Sequence, residues 1–129
     1  MATTHGSTSI AVRVGAILIY VASLVLLGSA AAKFIQVPTV VAKLAVLGFA
    51  GDKLRLIAGL EVLSAILFAL PRTRAIGLLV VSAYLGGAIA SHVGHNQLPF
   101  QPASLLALIW IAVTLRHPEA LWSLVPKSA

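Results

Sequence analysis

The chain has 129 residues, of which 60% are hydrophobic and only 9% charged, with a mean hydropathy of +1.04 and a net charge of +6. A soluble domain carries about a quarter charged residues, and so short a chain cannot bury this much apolar surface in water. The composition therefore indicates a membrane protein. The lack of cysteine excludes disulfides, thiolate metal sites and thiol redox chemistry. The basic residues mostly flank apolar runs, where they anchor helix ends, so we expect no nucleic-acid partner.

Four apolar runs predict four membrane-spanning helices, at about residues 12–34, 54–70, 74–93 and 102–116. The expected fold is an all-α integral membrane bundle, a single transmembrane domain over residues 1–129. The first run also resembles a secretory signal, since it starts at a basic residue and ends in Ala30-Ala31-Ala32. Its apolar stretch is longer than a usual signal core, which favours a retained span.

The segment between the first two runs is a connector, because Pro38 can open a short helix and Gly48 and Gly51 can end it. Two interpretations are equally good: a short helix lying in the membrane interface, or a loop packed over the mouth of the bundle. The turn at Pro71–Arg74 is so short that the second and third spans must be antiparallel neighbours.

The distribution of basic residues predicts the orientation of the chain. If the termini share one side, that side holds Arg13, Arg72, Arg74, Arg116 and Lys127, and the other holds Lys33, Lys43, Lys53 and Arg55. The excess on the terminal side widens if Lys33 lies inside the membrane. We therefore expect both termini in the cytoplasm, with Trp122 as an interfacial anchor.

Glu61 is the most informative single residue, because it is a carboxylate within an apolar run. An ionisable group in hydrocarbon costs a few kcal/mol, so it needs a partner or a function. The flanking arginines are too distant along the helix, which leaves other helices. Lys33 ends the first span on the side where the second begins, so we predict a Lys33–Glu61 pair. The expected pocket comprises Lys33, Glu61, Ser64, Tyr84, Ser91 and His92.

The third span carries two neighbouring features. Ala83, Gly87 and Ser91 form a small-residue groove that allows close helix packing. Beside it, Tyr84, Ser91, His92 and His95 share one helical face. His92 and His95 could share a metal only with a third ligand such as Glu61. Hydrogen bonds from the two histidines to nearby carbonyls are the better interpretation, so we expect no metal site. A single axial histidine on haem or chlorophyll stays open.

Six motifs occur in a fixed order along the chain. They are Gly28-Ser29-Ala30-Ala31-Ala32-Lys33-Phe34, Pro38, Leu47-Gly48, Gly59-Leu60-Glu61, Leu70-Pro71-Arg72-Thr73-Arg74 and Ser91-His92. In this order they resemble the DoxX-like family of small bacterial membrane proteins, and the resemblance runs from about Ile17 to Pro118. The resemblance implies a four-helix membrane bundle in which Lys33, Glu61 and His92 occupy the family's recurring polar positions. It also implies an inner-membrane location and an association with quinol oxidation and thiosulfate:quinone oxidoreduction.

The leading functional hypothesis is an accessory subunit of a quinone-linked or electron-transfer membrane complex, which docks other subunits or a second copy through its small-residue faces. Its polar cluster would hold a quinone, a lipid headgroup or a pigment, or only lock the helices together. One alternative is a membrane isomerase or hydrolase for a small lipophilic substrate, with Glu61 as base and His92 or Lys33 as acid. Another is a small carrier, which would need to oligomerise. Candidate catalytic residues are Glu61, Lys33 and His92, and candidate ligand-binding residues are Ser64, Tyr84, Ser91 and His95.

Overall fold

The computed structural model describes residues 4–119, and these residues form five α-helices without a strand. The four long helices pack as a bundle in which α1 and α4 each contact both α3 and α5, whereas the short α2 contacts α1. The all-α prediction is confirmed for this part of the chain. The helices are α1 (Thr4–Phe34), α2 (Pro38–Val46), α3 (Asp52–Ala69), α4 (Arg74–Gly94) and α5 (Phe100–Arg116).

Two helix boundaries follow directly from local chemistry. Pro38 stands in the first turn of α2, where its missing N–H costs nothing. Gly48 and Gly51 both have positive φ, at 85° and 58°, a conformation that glycine adopts without strain. The connector therefore contains a helix. Helix α1 begins at Thr4, before the predicted start near residue 12, since a formed helix propagates easily into polar residues. Trp122 lies outside the described residues.

Each long helix buries one face and exposes large apolar side chains on the other. The shared core contains Ile19, Leu26, Phe68, Val81 and Ile109, all fully buried. The outward faces of α1, α3, α4 and α5 nevertheless carry aliphatic side chains that are about half or more exposed. Apolar surface on every side of a bundle matches lipid rather than water. The outward residues include Ile17, Leu24, Leu56, Leu63, Leu79 and Ile111.

Two helical segments are long and apolar enough to cross a membrane. They are Ile10–Phe34, with a mean hydropathy of 2.4, and Arg74–Gly94, with 1.7. Helix α5 is apolar but has only 17 residues. Helix α3 has 18 residues and carries four charged groups, three of them in its first turn. Length and hydropathy thus identify α1 and α4 as candidate spans.

The bundle depends on two glycines where helix backbones nearly touch. A side chain at Gly77 would collide with the backbone of Leu67 and Phe68 in α3. A side chain at Gly15 would come within 2.8 Å of the Ala112 carbonyl oxygen in α5. Small residues allow this kind of close approach between helices in membranes. Gly77 thus allows α4 to pack directly against α3, and Gly15 allows α1 to pack directly against α5.

The turn after α3 is closed by side chains that cap the helix. The Thr73 hydroxyl donates to the Leu67 carbonyl at 2.8 Å. The Arg74 guanidinium donates from Nε to the Phe68 carbonyl at 3.1 Å and from Nη2 to the Ala69 carbonyl at 2.9 Å. Carbonyls in the last turn of a helix lack helical partners, and a cation there also complements the helix dipole. Arg74 is therefore part of the α3–α4 turn.

Candidate functional site

A buried ion pair joins α1 to α3. The ammonium of Lys33 donates to the Glu61 carboxylate at 2.6 Å, and the two residues are 5% and 3% exposed. The same ammonium donates to the Ser29 hydroxyl at 2.6 Å, one helical turn earlier. Helical spacing produces this contact, because Lys33 follows the buried α1 residues Leu26 and Ala30 on one face. The structure thus contains the predicted Lys33–Glu61 pair.

Tyr84 of α4 connects the ion pair to a cavity. Its hydroxyl comes near the Glu61 carboxylate, and its ring forms part of the cavity wall. Glu61 itself is not among the lining residues. A molecule in this cavity would therefore contact Tyr84 rather than the Glu61 carboxylate. The side-chain neighbours of that carboxylate are Lys33 and Tyr84.

The cavity has a volume of about 270 Å³ and lies between α3, α4 and the connector that contains α2. Its wall is mainly apolar, and three polar side chains from α4 interrupt it. This volume is slightly below the range of about 300–1,000 Å³ that is usual for small-molecule sites. A ring or a headgroup fits such a space better than a whole amphiphile. The lining residues are Leu44, Leu47, Phe49, Ile57, Leu60, Ala83, Tyr84, Gly87, Ala88, Ser91 and His92.

The polar groups of α4 are held by their own helix. His92 Nδ1 lies 2.8 Å from the Ala88 carbonyl oxygen, and the Ser91 hydroxyl donates to the Gly87 carbonyl at 2.9 Å. A carbonyl only accepts, so the hydrogen of a neutral His92 ring is on Nδ1 and Nε2 is free to accept. His95 bonds in the same way to the Ser91 carbonyl but is exposed outside the cavity.

The structure divides the predicted pocket into two neighbouring parts. One is the buried pair of Lys33 and Glu61, and the other is the cavity with Tyr84, Ser91 and His92. No hydrogen bond joins His92 to either member of the pair within residues 10–119. Ser64 is fully buried on α3, where its hydroxyl donates to the Leu60 carbonyl at 2.6 Å. The described residues contain no cluster of three metal-binding side chains.

Two parts of the site were not predicted from the sequence. The connector contributes Leu44, Leu47 and Phe49 to the cavity wall. Of its two interpretations, packing over the mouth of the bundle is consistent with this position, but neither predicted a cavity. Arg74 is buried, although it lies in a short basic turn, and its burial was not predicted. The sequence pattern could have predicted this burial, because Arg74, Gly77 and Val81 follow helical spacing along the buried face of α4.

A comparison with protein families gives a match over most of the chain. The model of the DoxX-like family matches residues 17–115, a range that contains the ion pair and the polar residues of the cavity. No curated protein and no solved structure matches the chain. The match confirms the resemblance that the sequence motifs indicated and covers most of the chain. The chain belongs to the DoxX-like family, which is a family of membrane proteins.

Proposed function

We propose that the protein is a four-span accessory subunit of a quinone-linked assembly in the inner membrane, and that its cavity holds the head of a quinone or lipid. The cavity between α3, α4 and the connector is the observation that carries this proposal. It combines an apolar wall with the Tyr84 hydroxyl and the His92 ring at one place. That combination suits a molecule with a polar head and an apolar tail.

The outward apolar faces support four spans. Helices α3 and α5 expose Leu56, Leu63 and Ile111 in the same way as the longer helices α1 and α4. The charges at the start of α3 fit the headgroup level, and Glu61 is paired inside the bundle. At about 1.5 Å per residue the 17 residues of α5 make about 25 Å, close to the hydrocarbon thickness of about 30 Å.

The buried Lys33 strengthens the orientation argument. Since its charge is paired with Glu61 inside the bundle, it no longer counts as a loop residue. The side of the termini then has four basic residues in the described chain, and the opposite side has three. By the positive-inside rule, this excess supports cytoplasmic termini. The four are Arg13, Arg72, Arg74 and Arg116, and the three are Lys43, Lys53 and Arg55.

The hydrogen-bonding groups of the cavity favour a hydroxyl-bearing head. A neutral His92 presents Nε2 as an acceptor, because Nδ1 already donates to the Ala88 carbonyl. A quinol hydroxyl or a lipid hydroxyl can donate to that nitrogen, and the Tyr84 hydroxyl can complete the contact. The apolar tail would leave the cavity between the helices and enter the bilayer. If the protein takes part in electron transfer, a chain without cysteine needs such a ligand, or a partner, to carry the electrons.

The proposal is tested by isolating the protein from native membranes in mild detergent and identifying the bound molecule by mass spectrometry. We expect a quinone or lipid that is lost in Tyr84→Phe and His92→Ala. The control is His95→Ala, which removes an exposed histidine from the same helix outside the cavity. Equal retention in all variants would contradict the cavity assignment. Recovery without any co-purifying subunit would contradict the accessory role.

A further inference from the structure

A second cavity of about 270 Å³ lies beside the α3–α4 turn, next to the end of α5. It is at the end of the bundle that faces the termini, away from the first cavity. One buried cation, one histidine and one acid share its wall with apolar side chains. The lining residues are Pro71, Arg74, Ala75, Leu78, Val113, His117 and Glu119.

Arg74 gives this cavity a fixed positive charge. The residue is 7% exposed, and two of its nitrogens donate to the carbonyls of Phe68 and Ala69. Its third nitrogen, Nη1, lies 3.4 Å from His117 Nε2. A guanidinium has five N–H groups, and these contacts use at most three of them. The carbonyls hold the guanidinium in place but do not neutralise its charge.

The acid at this cavity is a weak competitor for the cation. Glu119 approaches His117 Nδ1 at 3.4 Å, and its side chain is 74% exposed. That separation is longer than a good hydrogen bond, and exposed pairs contribute little. No side-chain carboxylate in residues 10–119 is paired directly with Arg74. The cavity therefore offers a buried cation to an incoming anion.

Most of the remaining wall is apolar. Leu78 of α4 and Val113 of the neighbouring α5 are among its lining residues. The same end of the bundle also carries the basic residues Arg72 and Arg116. The guanidinium can bind a phosphate, and the apolar wall can contact an acyl chain. Both groups occur together in a phospholipid.

We propose that this cavity binds the phosphate group of an anionic phospholipid from the leaflet on the side of the termini. Arg74 binds the phosphate oxygens with its remaining N–H groups, in the bidentate manner typical of arginine. His117 turns from Glu119 to the phosphate and donates from Nδ1. The inference uses the bilayer placement proposed above but is independent of the first cavity. Inorganic phosphate shares the phosphate chemistry and lacks the apolar part.

The test is native mass spectrometry of the full chain in detergent, titrated separately with phosphatidylglycerol, phosphatidylcholine and inorganic phosphate. We expect phosphatidylglycerol to bind most tightly. Ala75→Trp fills the cavity without changing any charge, so the phosphate can no longer reach Arg74. The binding of phosphatidylglycerol should then weaken about fivefold or more, the effect of losing one basic contact. Leu79→Trp is the matched control, since Leu79 is exposed on the lipid face and does not line the cavity.

His117→Ala should weaken phosphatidylglycerol by a similar factor, and Glu119→Gln should strengthen it because the competing carboxylate is removed. Equal binding of the two lipids, or unchanged binding in Ala75→Trp, would overturn the proposal. Displacement of the lipid by inorganic phosphate at equal concentration would also overturn it, since the apolar wall would then contribute nothing. Tyr84→Phe should leave this binding unchanged, which separates the result from that of the first cavity.

Discussion

The ammonium of Lys33 and the carboxylate of Glu61 meet at 2.6 Å inside the bundle, 28 residues apart in the chain. Each is almost inaccessible, so neither charge can be solvated if the other is removed. Removal of one member of a buried pair costs about 3–5 kcal/mol, whereas replacement of both by apolar residues is often close to neutral. We therefore expect Lys33→Met and Glu61→Leu each to destabilise the protein strongly.

The double variant Lys33→Met/Glu61→Leu should recover most of the lost stability. The measurement is thermal unfolding in detergent, with the coupling energy taken from the double-mutant cycle. Lys43→Met is the matched control, because Lys43 is an exposed lysine on α2 and should change the melting temperature little. Additive effects of the two single substitutions would show that the pair contributes no coupling.

A second prediction concerns the close contact of α4 with α3. Gly77→Ala should destabilise the bundle by about 1–3 kcal/mol, because the added carbon collides with the backbone of Leu67 and Phe68 and the helices must separate. Gly59→Ala is the control, since its added carbon meets no atom within 4 Å. There alanine should stabilise the helix by about 0.8–1.0 kcal/mol. Unfolding in detergent measures both, and a neutral Gly77→Ala would contradict the observed packing.

A third prediction separates occupancy of the first cavity from stability of the bundle. Gly87 lines that cavity, and a Cβ atom built there meets no atom within 4 Å. Gly87→Leu should therefore fill the space, abolish retention of the amphiphilic ligand and leave the melting temperature of the ligand-free protein almost unchanged. Gly28→Leu adds the same side chain at another open glycine, outside the cavity. Ligand retention equal in both variants would exclude this cavity as the binding site.

The ion pair was predictable because helical spacing fixes which residues face inward. Lys33 continues the buried face of α1, and Glu61 continues the face of α3 that carries Leu54 and Ala58. Two helices packed with these faces together bring the charges into contact. The sequence thus predicted the four long helices, the antiparallel pairing of α3 with α4 and this contact of α1 with α3, but not the packing of α5 against α1. The bounds of α3, α4 and α5 shifted by at most a few residues, as is usual at helix ends, whereas α1 begins about eight residues earlier than predicted.

The cavities were not predictable in the same way, because their shape depends on how a connector lies across a bundle. Leu44 and Phe49 reach the first cavity only because the chain turns back after α2, where Gly48 and Gly51 have positive φ. The spacing of residues along one helix does not predict how a connector packs across other helices. The predicted contact of His92 with the ion pair also needed the relative height of α4 and α3, which hydropathy does not determine.

The last prediction concerns topology, and the composition of the chain makes it testable directly. Because there is no native cysteine, single cysteines can be introduced at Arg72 in the α3–α4 turn and at Asn96 in the α4–α5 loop, both exposed. If α4 crosses the bilayer and the termini are cytoplasmic, a membrane-impermeant maleimide should label Asn96→Cys in intact cells. It should label Arg72→Cys only after the membrane is opened.

The length of α4 determines what this labelling experiment can show. The helix has 21 residues, which make about 32 Å at about 1.5 Å per residue, enough to cross the hydrocarbon core. The two loops must then lie on opposite sides. Labelling of both positions from the same side would mean that α4 does not span. Labelling with the opposite preference would invert the orientation and place the cavity of Arg74 in the outer leaflet.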